Sequence, residues 1–583
     1  VKRLAALSIV ALAAAVATPS AADPAPRARA ITRLDDARTC VPLANGGFAV
    51  GTGGGLAMIA KDGGVKTLTS IDGLPETRVH SVVESGDGLW VGTEGGAAFV
   101  SSGRVARTVG NQPVQSVYVA SNGAIYLGTR GAGVFRLATR ESAPELLRNT
   151  TKGTRVAAIA ERGGVVHVAY SDGSLARVDG NALVAIDGSP THGQALASVG
   201  AALLLGDLEG LYRVDGNTFT QLASVDARGI APASGDTIAV ATYGGGLQTG
   251  SLRGALHADG SVAKLARGVG VRGASRCVAT EDGVYLDEGK GTFHKQALGG
   301  PSSNDVTALV VSASGKIAIG TFESGAQSYE GGAWKRVPGV DPHETVNGMA
   351  WQGERMWLAT AHGIVRVGAD GSARRFTSHD GLPTTFSRSV AVVSNDRVVV
   401  GTDSGPAIIE GDRVVAVEDT KKGALRALAS PMHAAYSVAA GSDGTLYIGT
   451  TSGLYFGKDG TFARASVATG ELEDDWVTSI AVDGSDVFVG TYAKGVTHLH
   501  FENGKPKATQ LGGGYVNDDG LTIANGMIYA ATMEHVLVRP KNDDAAKWES
   551  RATLSPGRDV TAVRFVGTDT WVASRRGIAV TAK

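Results

Sequence analysis

Apolar residues along the chain fall in short runs, mostly β-branched or aromatic, and nearly every run closes on Gly-Thr, Ala-Thr or a near variant. The first half reads FAVGT (Thr52), LWVGT (Thr93), IYLGT (Thr129), VHVAY (Tyr170), LLLGD (Asp207), IAVAT (Thr242) and RCVAT (Thr280). The second half continues IAIGT (Thr321), MWLAT (Thr360), VVVGT (Thr402), LYIGT (Thr450), VFVGT (Thr491), IYAAT (Thr532) and TWVAS (Ser574). Runs of this length with β-branched enrichment predict strands rather than helices. A Gly follows nearly every copy and opens another apolar strand, as in GLYRV and GIVRV, and turns such as SGDG or GSDG come before it. Gly supplies the positive φ that tight hairpins need.

The fourteen copies recur about every 40 residues, the period of a four-stranded propeller blade. One blade has two apolar faces and cannot fold alone, so blades must stack around an axis. Fourteen divide as two rings of seven, whereas one ring of fourteen would leave a wide, poorly filled hole. The expectation is all-β: a first seven-bladed β-propeller over residues 23–300 and a second over 301–583. The last copy ends at GIAVTAK with no outer strand left, while ARAITRLDD (Ala28–Asp36) precedes the first copy without a sheet of its own. This N-terminal segment is expected to close the last blade, so ring closure mixes the two chain ends and hides open edges.

Composition agrees. Gly is 82 of 583 residues, which disfavours helices, and charged residues are only 19% against 43% hydrophobic, which excludes a disordered chain. A net charge of −1 gives no global basic field, so no nucleic-acid partner is expected. Lys2 and Arg3 precede an apolar run from Leu4 to Ala17, with small residues at Ser20 and Ala22. This predicts a signal peptide over residues 1–22 and a bacterial periplasmic or secreted protein with no direct membrane span.

Ser70–Gly96 and Ser378–Gly405 share a DGLP element and the strand layout after it. In this the chain resembles the two-component regulator propeller repeat, over essentially the whole mature sequence. The resemblance implies an extracytoplasmic propeller of the kind that forms the sensing half of membrane histidine kinases. No kinase module accompanies it in this sequence.

Candidate chemistry is sparse. His498 and His500, in THLHF, are a half-site at most and are expected to be strand residues facing solvent; no metal is assigned. Gly-rich stretches lie at blade turns, not before helices, which excludes phosphate loops. Cys40 and Cys277 fall on the first and seventh copies, neighbours in a ring of seven, where one disulfide could pin the closure, with two free thiols the alternative.

Propeller ligands meet loops at one channel mouth. In the second half these positions hold Asn304 and Asp305, Glu344, Arg388, Asp474, Asp475 and Trp476, Asp518 and Asp519, and Arg558 and Asp559. In the first half they hold Arg78, His80, Gln115, Arg155, Arg228 and Arg272. The second mouth reads as acidic with one aromatic, suited to Ca²⁺ (a weak cofactor candidate), a cationic peptide or a sugar on Trp476. The first reads as mildly basic. The functional expectation is an exported, non-catalytic scaffold binding an envelope protein, a peptide or a glycan. The alternatives are a detached sensing subunit for a separate histidine kinase, and a glycan lyase or hydrolase.

Overall fold

The recurring Gly-Thr has a physical reason in each letter. The Thr side chain is buried at the end of the second strand of its blade and staples the following turn. Thr52, Thr93, Thr280, Thr360 and Thr402 each donate Oγ1 to the carbonyl of the Gly that opens the third strand, at 2.6–2.9 Å. The same oxygen accepts the N–H two residues on, as at Gly54, Gly95 and Ser404. The Gly before it lies where the next blade begins: a Cβ on Gly51 would stand 2.6 Å from Val79 Cγ1, and one on Gly320 2.6 Å from Val346 Cγ1. Gly is therefore fixed by blade-to-blade approach, and Thr by the turn.

In this computed structural model, residues 28–416, 434–458 and 460–582 are described; the expected signal peptide lies outside them. They form fourteen antiparallel sheets of four strands, one of which carries a short fifth strand, Arg148–Asn149. We number the blades 1–14 in chain order. The inner strands of blades 1–7 touch in succession, and that of blade 7 (Ala266–Arg272) returns to that of blade 1 (Ala37–Pro42). Blades 8–14 do the same, from Val306–Val311 round to Val560–Val566. The chain thus makes two closed rings of seven. The core is a series of apolar layers between neighbouring blades, such as that joining Phe48, Val50, Ala279 and Leu286 of blades 1 and 7.

The rings close differently. In the first, each blade is continuous in sequence, and closure rests on a disulfide, Cys40–Cys277, with Cα atoms 6.1 Å apart. Gly268 and Gly270 let the two inner strands come flush; Cβ atoms there would stand 2.9 Å from the Arg38 carbonyl and 2.5 Å from that of Cys40. In the second, Ala28–Ile31 pairs antiparallel with Gly577–Thr581 and becomes the outermost strand of blade 14, with Ile31 against the Trp571 and Ile578 layer.

The chain therefore passes between rings twice, at residues 32–36 and 297–305. The crossings lie side by side: Asn304 accepts from Arg33 N at 2.6 Å and donates to its carbonyl at 3.0 Å. The DGLP element of blade 1 adds a third tie. Ser70 Oγ donates to the Pro556 carbonyl at 2.6 Å and Thr77 Oγ1 at 2.5 Å, while Glu76 pairs with Arg576 at 3.5 Å. No helix among the described residues is long and apolar enough to cross a membrane.

Candidate functional site

Every inner strand of the first ring carries a β-bulge after its first residue. A bulge re-aims one side chain out of the pleat. The seven bulged residues are Arg38, His80, Gln115, Ala157, Gln194, Arg228 and Arg267, and all seven line one cavity of about 790 Å³ at the channel mouth. Arg130, Ser171, Tyr243 and Glu281, each the residue after the Gly-Thr position, complete its wall with Arg155. Two sequence positions per blade thus supply nearly the whole lining.

The charges at this mouth are held in forks. Asp36 accepts from Arg38 at 3.0 Å and Arg267 at 2.5 Å, and Arg267 reaches Glu281 at 2.7 Å. Arg228 grips Asp226 with two bonds, at 2.6 and 2.8 Å, and reaches Gln194 Oε1. Glu94 joins His80 at 2.6 Å and Arg130 at 3.1 Å. The His80 hydrogen bond, with the nearby arginines, pulls the Glu94 carboxyl down to about 2. Burial depresses the His80 imidazole, so at neutral pH it serves Glu94 as an uncharged N–H donor. Five arginines face four carboxylates. Arg155 is exposed, with no guanidinium hydrogen bond or close ion pair among the described residues; Asp172 accepts from its backbone N–H at 2.8 Å and feels its charge. Arg38 Nε and Gln115 Nε2 are shielded from solvent and without a hydrogen-bond partner.

The equivalent positions of the second ring are Thr307, Asn347, Arg388, Tyr436, Thr478, Asn517 and Thr561. Five of them bond the next blade instead of facing a ligand. Asn347, Thr478, Asn517 and Thr561 donate to the carbonyls of Ser387, Val516, Val560 and Val306 at 2.5–2.9 Å, and Thr307 donates to that of Val346. At the two remaining positions Arg388 stacks on Tyr436, 4.3 Å from its ring centre.

The carboxylates expected to converge on this second mouth are mostly engaged. Asp305 is bound by Arg575 at 2.6 Å and Asp519 by Arg564 at 2.6 Å. Glu344 is buried: burial opposes its charge, but the bidentate Arg375 fork and the Thr360 hydroxyl outweigh it and hold the carboxyl below the usual range. Asp474 caps the Trp476 and Ala493 N–H groups, and Asp475 that of Val467. Arg388 pairs with Asp403. Trp476 is no open platform, because Tyr492 stacks on its face at 4.4 Å and Tyr436 meets it edge-on; the exposed ring is Tyr492. Asp559 sits at φ 57° with its carbonyl holding Arg575 N. Asp518, reached by solvent yet crowded on most sides, has its carboxyl pushed up to about 6 by burial, with Arg388 and Arg575 opposing.

Two sequence expectations need correcting. Arg272 lies at the far end of its strand, donating to the Pro42 carbonyl and pairing with Glu84; Arg267, at the start of that strand, faces the mouth. His498 is mostly shielded, stacked on Phe488 at 4.6 Å, and with His500 is bonded to Asp486 rather than facing solvent alone. Sequence reasoning missed Arg38, Arg130, Arg267, Tyr243 and Glu281. The signal was available: they stand one residue into the inner strand or one residue after Gly-Thr.

No protein-family model matches the chain, and no curated protein matches it in sequence. Among solved structures it is similar to PorZ, a surface component of the type-IX secretion system of Porphyromonas gingivalis. That match has 14% identity and a TM-score of 0.71, over 95% of this chain and 87% of that one. It is similar to the Niastella koreensis GH74 enzyme at 12% identity and a TM-score of 0.67, covering 95% and 99%. The extracellular domain of the hybrid two-component system BT3049 from B. thetaiotaomicron matches at 15% identity and a TM-score of 0.40, over 96% and 83%, a score too low to bear on arrangement. At these identities the first two likenesses speak to fold, and the fold they share with this chain is the propeller.

Proposed function

We propose that the chain is an exported, non-catalytic binding propeller of a bacterial envelope, and that the first-ring mouth takes an anionic glycan. The observation that carries this reading is the contrast at the bulge position. Seven first-ring residues line one cavity, while five of their second-ring counterparts are spent on the next blade. Arginines pre-positioned by carboxylates suit planar carboxylate or phosphate groups, and the Gln amides and Tyr243 suit hydroxyl-rich rings. Shielded donors without partners mark where a ligand's acceptors would gain most. The fold itself does not choose, since one structural neighbour is an enzyme and the other a secretion-system component.

A glycan array that pairs neutral saccharides with carboxylate- or phosphate-bearing forms of the same backbones tests the reading. The anionic forms should be retained, and Arg155→Ala should weaken retention at least about tenfold, or about 1.4 kcal/mol. Equal retention of both forms by wild type and variant would end it. An envelope protein as occupant, or a sensing subunit for a separate kinase, is the alternative outcome of such a screen.

A second reading, glycan hydrolysis or lysis at the second mouth, rests on Asp518, whose carboxyl is raised to about 6 as general-acid work requires; burial raises the adjacent Asp519 too, but Arg564 holds it. Asp518→Asn leaving any such activity intact would remove it.

A further inference from the structure

On the face of the second ring away from its mouth, blade 12 brings together an acid and two imidazoles. Asp486 opens the second strand of the blade, His500 stands directly across from it on the third, and His498 lies two residues back on the same face. One carboxylate oxygen, Asp486 Oδ1, is 2.9 Å from His498 Nε2 and 2.8 Å from His500 Nδ1. The three candidate ligand atoms all lie within 4.8 Å of one another.

We infer that Asp486, His498 and His500 form a binding site for a divalent first-row transition ion, Zn²⁺ being the natural occupant for two imidazole nitrogens and one carboxylate oxygen. A tetrahedral ion with bonds of about 2 Å needs ligand atoms about 3.3 Å apart, so the two acid–imidazole spacings, 2.9 and 2.8 Å, open by only about half an ångström on binding. Three protein ligands leave the fourth position to water or to a further ligand.

The outer groups supply an independent reason. The far nitrogen of His498, Nδ1, is 3.2 Å from Asp544 Oδ1, and Asp544 belongs to the neighbouring blade 13. That bond keeps the Nδ1 proton in place and leaves the Nε2 lone pair aimed at the site, the arrangement that orients metal-bound imidazoles. The far nitrogen of His500, Nε2, faces Glu502 at 3.9 Å. Phe488, stacked beneath His498, fixes the ring plane. Two lysines lie near: Lys507 stands across from His500 on the fourth strand of the blade, and Lys541 is 3.9 Å from Asp486 Oδ2, the oxygen turned away from the imidazoles, with its ammonium held by Asp483 at 2.5 Å. The ion would therefore be bound by blade 12 and oriented by blade 13, coupling two blades on the side of the second ring remote from its mouth.

The test uses the full chain, purified without a histidine tag. Equilibrium dialysis against zinc sulfate with metal analysis should give one zinc per chain, and Co²⁺ should give the visible bands of a tetrahedral site. The His498→Gln/His500→Gln double variant should lose the metal, and Asp544→Asn should bind it about 10- to 100-fold more weakly. His257→Gln, at an exposed strand position of blade 6, should leave binding unchanged. His500 is half-exposed, so His500→Gln alone decides the matter should the double variant not fold. Absence of stoichiometric zinc in wild type, or zinc retained by the His498 and His500 variants, overturns the site.

Discussion

The two rings share a blade design and differ in how they are shut and what their mouths display. The first ring is locked by a covalent bond between blades of continuous sequence, and it points charged side chains into its channel. The second borrows a strand from the far end of the chain, and it consumes the same channel positions in holding its blades together. The comparison teaches that the bulge position has two competing uses. A short Thr or Asn reaches the next blade's carbonyl, while a long Arg or Gln overshoots it and turns into the channel. A ring that closes covalently can give these positions to recognition.

The largest effect should come from breaking the covalent closure. Replacing Cys40 and Cys277 with Ser opens a loop spanning 237 residues and should destabilise the first ring by up to about 5 kcal/mol, leaving the second unchanged. Hydrogen exchange across a guanidinium series, read by mass spectrometry, resolves the rings. Starting the chain at Thr32 should do the reverse. Loss of the Ala28–Ile31 strand should cost the second ring about 3 kcal/mol, through its ladder hydrogen bonds and the burial of Ile31, and leave the first intact. If both rings respond to either change, they unfold as one unit and the comparison fails.

Smaller effects sharpen it. Thr561→Val removes one blade-to-blade bond and should cost the second ring about 1 kcal/mol, whereas Gln115→Ala at the matching first-ring position should cost little stability. Equal losses would show that both mouths are structural.

Above about pH 4.5, before lowered carboxylates such as Glu94 and Glu344 titrate in either ring, the pH response should differ in sign. In the first ring, the depressed His80 disfavours its charged form, so stability falls as pH drops below about 6.5, and Glu94 adds a further loss as pH falls from about 4.5 toward 2. Asp518 in the second ring is raised to about 6, so it favours the folded state at low pH and that contribution is lost as pH rises through about 6. Asp518→Asn should therefore stabilise the second ring at neutral pH and make no difference near pH 3.

The architecture was legible because the Gly-Thr repeat is a local necessity: the hydroxyl staples its own turn and the glycine admits the next blade. The closing strand was legible too, since an unpaired apolar strand at one end matched a missing one at the other. The mouth was not. Asp305 and Arg575 stand 270 residues apart, and Glu344 and Arg375 31 apart, so sequence shows the acids without the cations that neutralise them. Trp476 read as an open aromatic because Tyr492, its stacking partner, lies two strands on, in the turn after Thr491. The metal-type cluster was half-seen for the same reason: Asp486 precedes His498 by a turn and a strand, and only pairing brings them opposite.

The placement of Ala28–Ile31 also sets an order in time. The first strand of the propellers to be synthesised takes its place last, because its partner, Gly577–Thr581, is made after every other blade. The second ring cannot finish while the chain is still emerging, whereas the first can complete and oxidise once blade 7, which ends at Gln296, has appeared. During that interval one edge of blade 14 and one free strand must be kept from other partners, and the finished first ring, wedged between them in sequence, must not block their meeting.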